Sequence, residues 1–253
     1  KNQHGEASLI LATNMFAHMS KISEVVSGVW ALLKNDGVFV FENHYLLDVL
    51  QGGQFDTIYH EHLRTYSLKS LIELFSYYDF TVTDVERGKR YGGNIREHVT
   101  KGKNRPISEN VTKLLNVEKD FGLYKLETYI DFADRVRKAK RDFLNFILKK
   151  KEEGKTIVAN SCPGRSVTLL NYYDVGTDLI PYIAEQPTSL KLDMFLPGKL
   201  IPIVNNQILI NEQPDYVILL AWHYAEPIMK QLKDRGLKSN FIIPLPDLTV
   251  VEN

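Results

Sequence analysis

Apolar positions along the chain fall into short unbroken runs and helical stripes, and the two alternate. The run at 7–13 (Ala-Ser-Leu-Ile-Leu-Ala-Thr) reads as a buried strand, with Asn14-Met15-Phe16-Ala17-His18 as the loop at its carboxyl end. Ser20 or Ser23 is placed to cap a helix to about Lys34, with Ile22, Val25, Val26, Val29, Leu32 and Leu33 on one face. Asn35-Asp36-Gly37 reads as a stop and turn, and 38–41 as a second buried strand. Ser67 begins another helix, 81–85 alternates as a strand, and Gly92-Gly93 introduces an antiparallel partner at 94–100.

From 106 to 153 the pattern is helical: Tyr129, Phe132, Val136, Phe143, Phe146 and Ile147 recur at helix spacing beside many charges, which read as a solvated face. A second α/β unit begins at Gly154. Its strands are expected at 156–159, 179–185 and 216–221, with short extended pieces at 200–204 and 208–210 and a last strand at 241–244. Its helices are expected from Val167 and over 226–235. Strands alternating with helices predict an α/β fold with a parallel sheet.

Composition narrows the function classes. The 253 residues balance 31 basic against 31 acidic side chains, unlike the basic footprint of a nucleic-acid binder. No apolar run nears the roughly 18 residues that would span a membrane, and no signal peptide opens the chain. The single cysteine, Cys162, excludes an internal disulfide and a multi-thiolate zinc site and reads as a small buried residue. A cytoplasmic protein is expected. The chain starts at Lys1 and reaches a strand almost at once, so the natural protein is expected to extend upstream.

The densest chemistry is Tyr59-His60-Glu61-His62, within Phe55-Asp56-Thr57-Ile58-Tyr59-His60-Glu61-His62. Two histidines without a nearby third ligand make a poor zinc site. A polar cluster bonded to its own backbone is a second reading. An acid/base group is the third: a histidine titrates near neutrality, a carboxylate can orient its ring, and Tyr59 could bond a developing oxyanion. Ser161-Cys162-Pro163-Gly164-Arg165-Ser166 joins a strand to a helix, where helix-start amides and Arg165 suit an anion. Glu185 ends the next strand about twenty residues on, as a ribose-binding acid does. The glycine pattern there is poor.

Together these residues resemble the S-adenosylmethionine-dependent sugar C-methyltransferases, which act on nucleotide-linked deoxyketosugars. The resemblance is carried by Asp56-Thr57-Ile58-Tyr59-His60-Glu61-His62-Leu63, Glu42, Tyr45-Leu46-Leu47-Asp48 and Gly92-Gly93-Asn94-Ile95-Arg96. Further on it rests on Pro163 with Arg165, Thr168-Leu169-Leu170-Asn171, Leu196-Pro197-Gly198, Ile201-Pro202-Ile203, Pro214-Asp215-Tyr216-Val217 and Ala221-Trp222. It implies the carboxyl-terminal half of a methyltransferase domain at 1–105, a helical connector at 106–153 and a sugar-nucleotide-associated α/β domain at 154–253. The fold implied is a partial Rossmann-like methyltransferase sheet, then a helical segment, then a second Rossmann-like domain. The chain departs from the family in lacking its cysteine-rich zinc region and glycine-rich donor loop. Ser161, Gly164 and Arg165 stand where glycine, alanine and lysine are usual, and His44 where proline is.

The resemblance assigns roles. His62 is the expected base, oriented by Glu61 or His60, with Tyr59 on the enolate oxygen. Asn14, Phe16 and His18 are expected at the S-adenosylmethionine donor, and Tyr45, Asn94, Arg96, Arg165, Asn171, Glu185 and Trp222 at the nucleotide-diphosphate ketosugar, with Arg165 on its phosphate. No metal, nucleic acid or membrane is expected, and the missing N-terminal segment is expected to be needed. Without the donor loop, a non-catalytic nucleotide-sugar-binding remnant is the alternative; a nicotinamide oxidoreductase on the second unit is disfavoured by its single-glycine loop. A half sheet would also leave an open edge at 7–13.

Overall fold

The computed structural model describes residues 5–253. The chain divides into two compact units, Lys1–Gln51 with His60–Ile130, and Gly52–Tyr59 with Asp131–Asn253. The short segment Gly52–Tyr59 therefore belongs with the C-terminal residues.

The first unit contains β1 (Ala7–Thr13), α1 (Ile22–Leu32), β2 (Leu33–His44), α2 (Leu46–Gln51), α3 (Leu68–Tyr77), β3 (Phe80–Gly88), β4 (Asn94–Lys101) and α4 (Glu109–Phe121). Its sheet has the order β1-β2-β4-β3. β1 and β2 run parallel, and the other neighbours are antiparallel, including the expected β3–β4 pair. Phe16, Phe39, Phe41, Phe75 and Phe80 are buried and form the centre of its core, with ring centroids 4.7 to 6.4 Å apart. Ser67 caps α3 in a reciprocal box with Ser70.

Three local expectations are corrected. β1 is apolar but mostly open: it is the sheet edge, with Leu9 and Leu11 55% and 63% exposed. Neither Ser20 nor Ser23 caps α1, because the helix starts between them with Lys21 at the cap position. Asn35-Asp36-Gly37 is not a free turn; it lies in β2 where the register jumps from Ala7↔Leu33 to Leu9↔Val38, a bulge. Gly37 is needed there, since a Cβ would sit 3.0 Å from the Ala7 carbonyl oxygen.

α5 (Leu126–Glu152) starts in the first unit and from Asp131 belongs to the second. There follow β5 (Ile157–Asn160), α6 (Gly164–Tyr173), β6 (Ile183–Glu185), β7 (Ile203–Asn205), α7 (Gln207–Glu212), β8 (Tyr216–Leu219), α8 (Ala225–Asp234), β9 (Asn240–Ile243) and β10 (Thr249–Val251). The sheet order is β10-β9-β8-β5-β6-β7, parallel except for β10. Alternate strand residues feed two cores, Ile157, Ala159 and Ile218 on one face and Val158, Val217 and Leu219 on the other. This is the pattern of a sheet covered on both sides. The extended piece at 208–210 is instead helix α7, started where the Asn205 side chain accepts from the Gln207 N–H at 2.9 Å. β10 is an additional hairpin strand beyond the one at 241–244. The architecture is α/β, as expected.

Candidate functional site

In the first unit the carboxyl ends of β1 and β2 carry the site. The chain leaves β1 through Asn14, whose φ of 52° is left-handed and whose N–H donates to the Glu42 carbonyl at 2.9 Å. A short 3-10 turn, Phe16–His18, follows. The His62 loop is stitched to it: the Leu63 N–H donates to the Ala17 carbonyl at 3.1 Å, and the Arg64 guanidinium to the Met19 carbonyl at 2.6 Å. These bonds bring three imidazoles together. The half-buried His62 ring meets His18 edge-on at 4.9 Å and His44, from the end of β2, at 4.8 Å. Behind His44 lies Tyr91 at 6.1 Å, itself in the left-handed region at φ 55°. Backbone strain in a non-glycine residue is characteristic of functional loops.

The other residues expected here are distributed differently. His60 and Glu61 are exposed, and His18 and His44 pack their rings on His62. Phe16, expected at the donor, is fully buried in the aromatic core. Tyr45, expected at the substrate, is fully buried and donates to Glu118 Oε1 at 2.9 Å; burial, then the Glu118 charge, pushes its phenol well above its usual range. Glu118 also receives the Leu68 N–H at 2.6 Å, satisfying the start of α3. Asn94 is buried beside Gly88. Arg96 grips the buried Glu42 Oε2 at 2.8 Å and approaches Glu86 at 3.5 Å. Gly93, at φ 126°, accounts for part of the Gly-Gly motif: Asp48 fills the space a Cβ would need.

Among the described residues, the trio whose ligand atoms converge within 4.8 Å is Asp84, Glu86 and His98, on β3 and β4, and not the motif histidines. Glu86 faces Arg96, and Asp84 is bonded by Ser108 and by Asn110 at 3.0 Å.

In the second unit Arg165 is not an open anion receptor. It grips the fully buried Asp56 with two prongs, Nε to Oδ2 at 2.8 Å and Nη2 to Oδ1 at 2.7 Å. It also donates to Gln54 Oε1 at 3.2 Å. The Trp222 indole N–H donates to Asp56 Oδ2 at 2.8 Å, and the guanidinium lies over the indole at 4.7 Å. His223 Nδ1 is 3.1 Å from Arg165 Nη1. Burial, then the Arg165 charge, pushes the His223 pKa down to about 4. The ring is therefore neutral near pH 7 and, facing a group that can only donate, accepts through Nδ1. Arg165 and Trp222 are thus both bonded to Asp56, so the guanidinium expected at the substrate phosphate is engaged in an internal ion pair.

Asn171 donates to the Pro197 carbonyl at 3.0 Å and occupies the space beside Gly198, whose φ is +85°. That explains the Leu-Pro-Gly element as a loop closed on α6. Tyr59 packs its ring on Gly164. Glu185 accepts from the Cys162 N–H at 2.8 Å and the Gln186 N–H at 2.9 Å. It lines a cavity of about 280 Å³ with Asn160, Ser161, Asn206 and Gln231, where the parallel strands end. Among the described residues lining that cavity, none is a lysine or arginine. Sequence reasoning did not single out Asp56, His223 or Glu118 as partners; His44 was visible only as a departure.

Residues 89–246 match the family model described as the C-methyltransferase C-terminal domain. The chain is similar to C-methyltransferase NovU of Streptomyces niveus, with 34% identity over 256 aligned positions covering 98% of this chain. It spans 60% of that relative's length. No helix among the described residues is long and apolar enough to cross a membrane. With more than half its length matched by one family model and its α/β architecture in agreement, this chain belongs to the C-methyltransferase family.

Proposed function

We propose that the chain carries the acceptor chemistry of an S-adenosylmethionine-dependent C-methyltransferase acting on a nucleotide-linked ketosugar. The observation that supports this reading best is the half-buried His62 ring packed against His18 and His44 at the carboxyl end of parallel strands. A neutral imidazole held there by neighbouring rings can take the proton beside a ketone, and proton removal leaves an enolate whose carbon is the nucleophile. Tyr59 donates its phenol O–H to the enolate oxygen.

The donor's contribution is an electrophilic sulfonium methyl group. Asn14 and His18 present accessible polar groups that fit a donor at the end of β1, whereas Phe16 serves the core. The polar cavity with Glu185 suits the hydroxyls of a nucleotide ribose better than its phosphates, since its lining offers acceptors and amides without a cation.

The test is hydrogen exchange in D₂O. Nucleoside-diphosphate ketosugars incubated with the chain should lose the hydrogen alpha to the ketone, and His62→Asn should slow that loss at least about hundredfold. Exchange that is absent in the wild type, or undiminished in His62→Asn, refutes the assignment.

A further inference from the structure

The segment that ends in Tyr59 is laid along one face of α6. Near the end of the helix Phe55 packs on Tyr172, with ring centroids 5.1 Å apart. Asp56 takes both prongs of Arg165 at 2.7 and 2.8 Å. The Thr168 hydroxyl reaches the Ile58 carbonyl at 3.4 Å. At the helix start, the Tyr59 ring lies flush on Gly164: a Cβ there would stand 3.2 Å from Cε2, 3.3 Å from Cζ and 3.5 Å from the phenol oxygen. Positions 164, 165, 168 and 172 project within roughly 100° of one another around a helix, so a single face holds all four grips. The ring rests on bare helical backbone, and the reacting end of the side chain is the part that touches it.

We propose that Gly164 and Arg165 are positioning residues for Tyr59: α6 sets where the phenol stands, Gly164 by leaving room for the ring and Arg165 by anchoring the preceding turn through Asp56. The inference rests on the role given above to Tyr59 and assigns the control of that role to a different element. It separates position from stability. Gly164 is not among the positive-φ glycines, and alanine favours helix over glycine, so Gly164→Ala should fold as well as the wild type or better. Its methyl group would nevertheless push the phenol aside by a few tenths of an ångström.

The experiment is a double-mutant cycle of Gly164→Ala and Tyr59→Phe. It reads thermal midpoint, alpha-hydrogen exchange of the nucleoside-diphosphate ketosugar that the wild type exchanges, and the tyrosine Cζ resonances in ¹³C-labelled protein. Gly164→Ala should keep or raise the midpoint, move the Tyr59 resonance, and slow exchange about tenfold. In the Tyr59→Phe background the same alanine should have no further effect on exchange. If Tyr59→Phe slows exchange while Gly164→Ala does not, the positioning role is overturned and the function of Tyr59 stands. If the alanine slows exchange equally in both backgrounds, it acts through something other than Tyr59, and the inference fails. If Tyr59→Phe has no effect, the role of Tyr59 falls and this inference with it. Should Gly164→Ala not fold, Arg165→Lys, which keeps the charge but not the two-pronged grip, goes through the same cycle and is judged by the same outcomes.

Discussion

Arg165→Met should destabilise the second unit by about 3–5 kcal/mol, the usual cost of leaving one member of a buried ion pair alone. The geometry supports the upper part of that range. Asp56 is fully buried and receives two guanidinium bonds of 2.7 and 2.8 Å. Each charge-assisted bond is worth roughly 1.5–3 kcal/mol. Their loss leaves the carboxylate the Trp222 indole, at 2.8 Å, as its side-chain donor. Asp56→Leu should cost a similar amount by stranding Arg165. The double variant should cost clearly less than the sum, because an apolar pair removes both desolvation penalties, giving a coupling of about 2 kcal/mol or more.

Urea unfolding can follow this in one unit. The chain has two tryptophans, Trp30 in the first unit and Trp222 in the second. In a Trp30→Phe background, indole fluorescence reports on the clamp itself. With a slope near 2 kcal/mol/M, the loss corresponds to a midpoint shift of about 1.5–2.5 M. A loss under about 1 kcal/mol with negligible coupling would mean that solvent screens the pair as it screens a surface bridge, and the argument that Arg165 is removed from phosphate binding would fall.

Two titrating groups, the half-buried His223 and the buried Glu97, should give the units opposite pH responses. His223 is held neutral down to about pH 4 against 6.5 in the unfolded chain. The unfolded state therefore binds the extra proton in that window, and the stability of the second unit should drop as pH falls from about 6.5 to about 4. His223→Gln should flatten that slope by up to about 1.4 kcal/mol per pH unit, and urea midpoints with an unchanged slope would refute it. Glu97 is fully buried, and burial, then the Glu42 charge, pushes its carboxyl well above the usual 4.5. Here the folded state holds the extra proton, so the first unit should lose stability as pH rises above about 4.5. Glu97→Gln should stabilise it more at pH 8 than at pH 5, measured by amide hydrogen exchange in β4; equal protection at both pH values would contradict the assignment.

The elements that were legible in the sequence are those whose cause is local. Ser67 announces α3 because its partner in the capping box is Ser70, three residues away. Runs such as 216–221 announce buried strands by composition alone. Periodicity reports apolarity but not neighbours, which is why β1 read as buried although it lies on a sheet edge. It also cannot separate strand from helix over three residues, which is why α7 read as extended.

The candidate site divides along the same line. A motif displays residue types; it does not show which of them neutralise one another. Arg165 looked like an anion receptor because its charge is visible, whereas Asp56, 109 positions away, became its partner only through folding. Tyr45 and Glu118, 73 positions apart, repeat the case. Conversely, His44 looked like a mere departure until β2 carried it to His62. Tyr59 and His62 sharpen the point, since they stand three residues apart yet are held by different units: Tyr59 by α6, His62 by the loop after β1 and the end of β2. A dense motif therefore marks where the chain passes from one scaffold to the other. Each of its side chains has to be judged by the element that grips it, and for Tyr59 that element is α6, through Gly164.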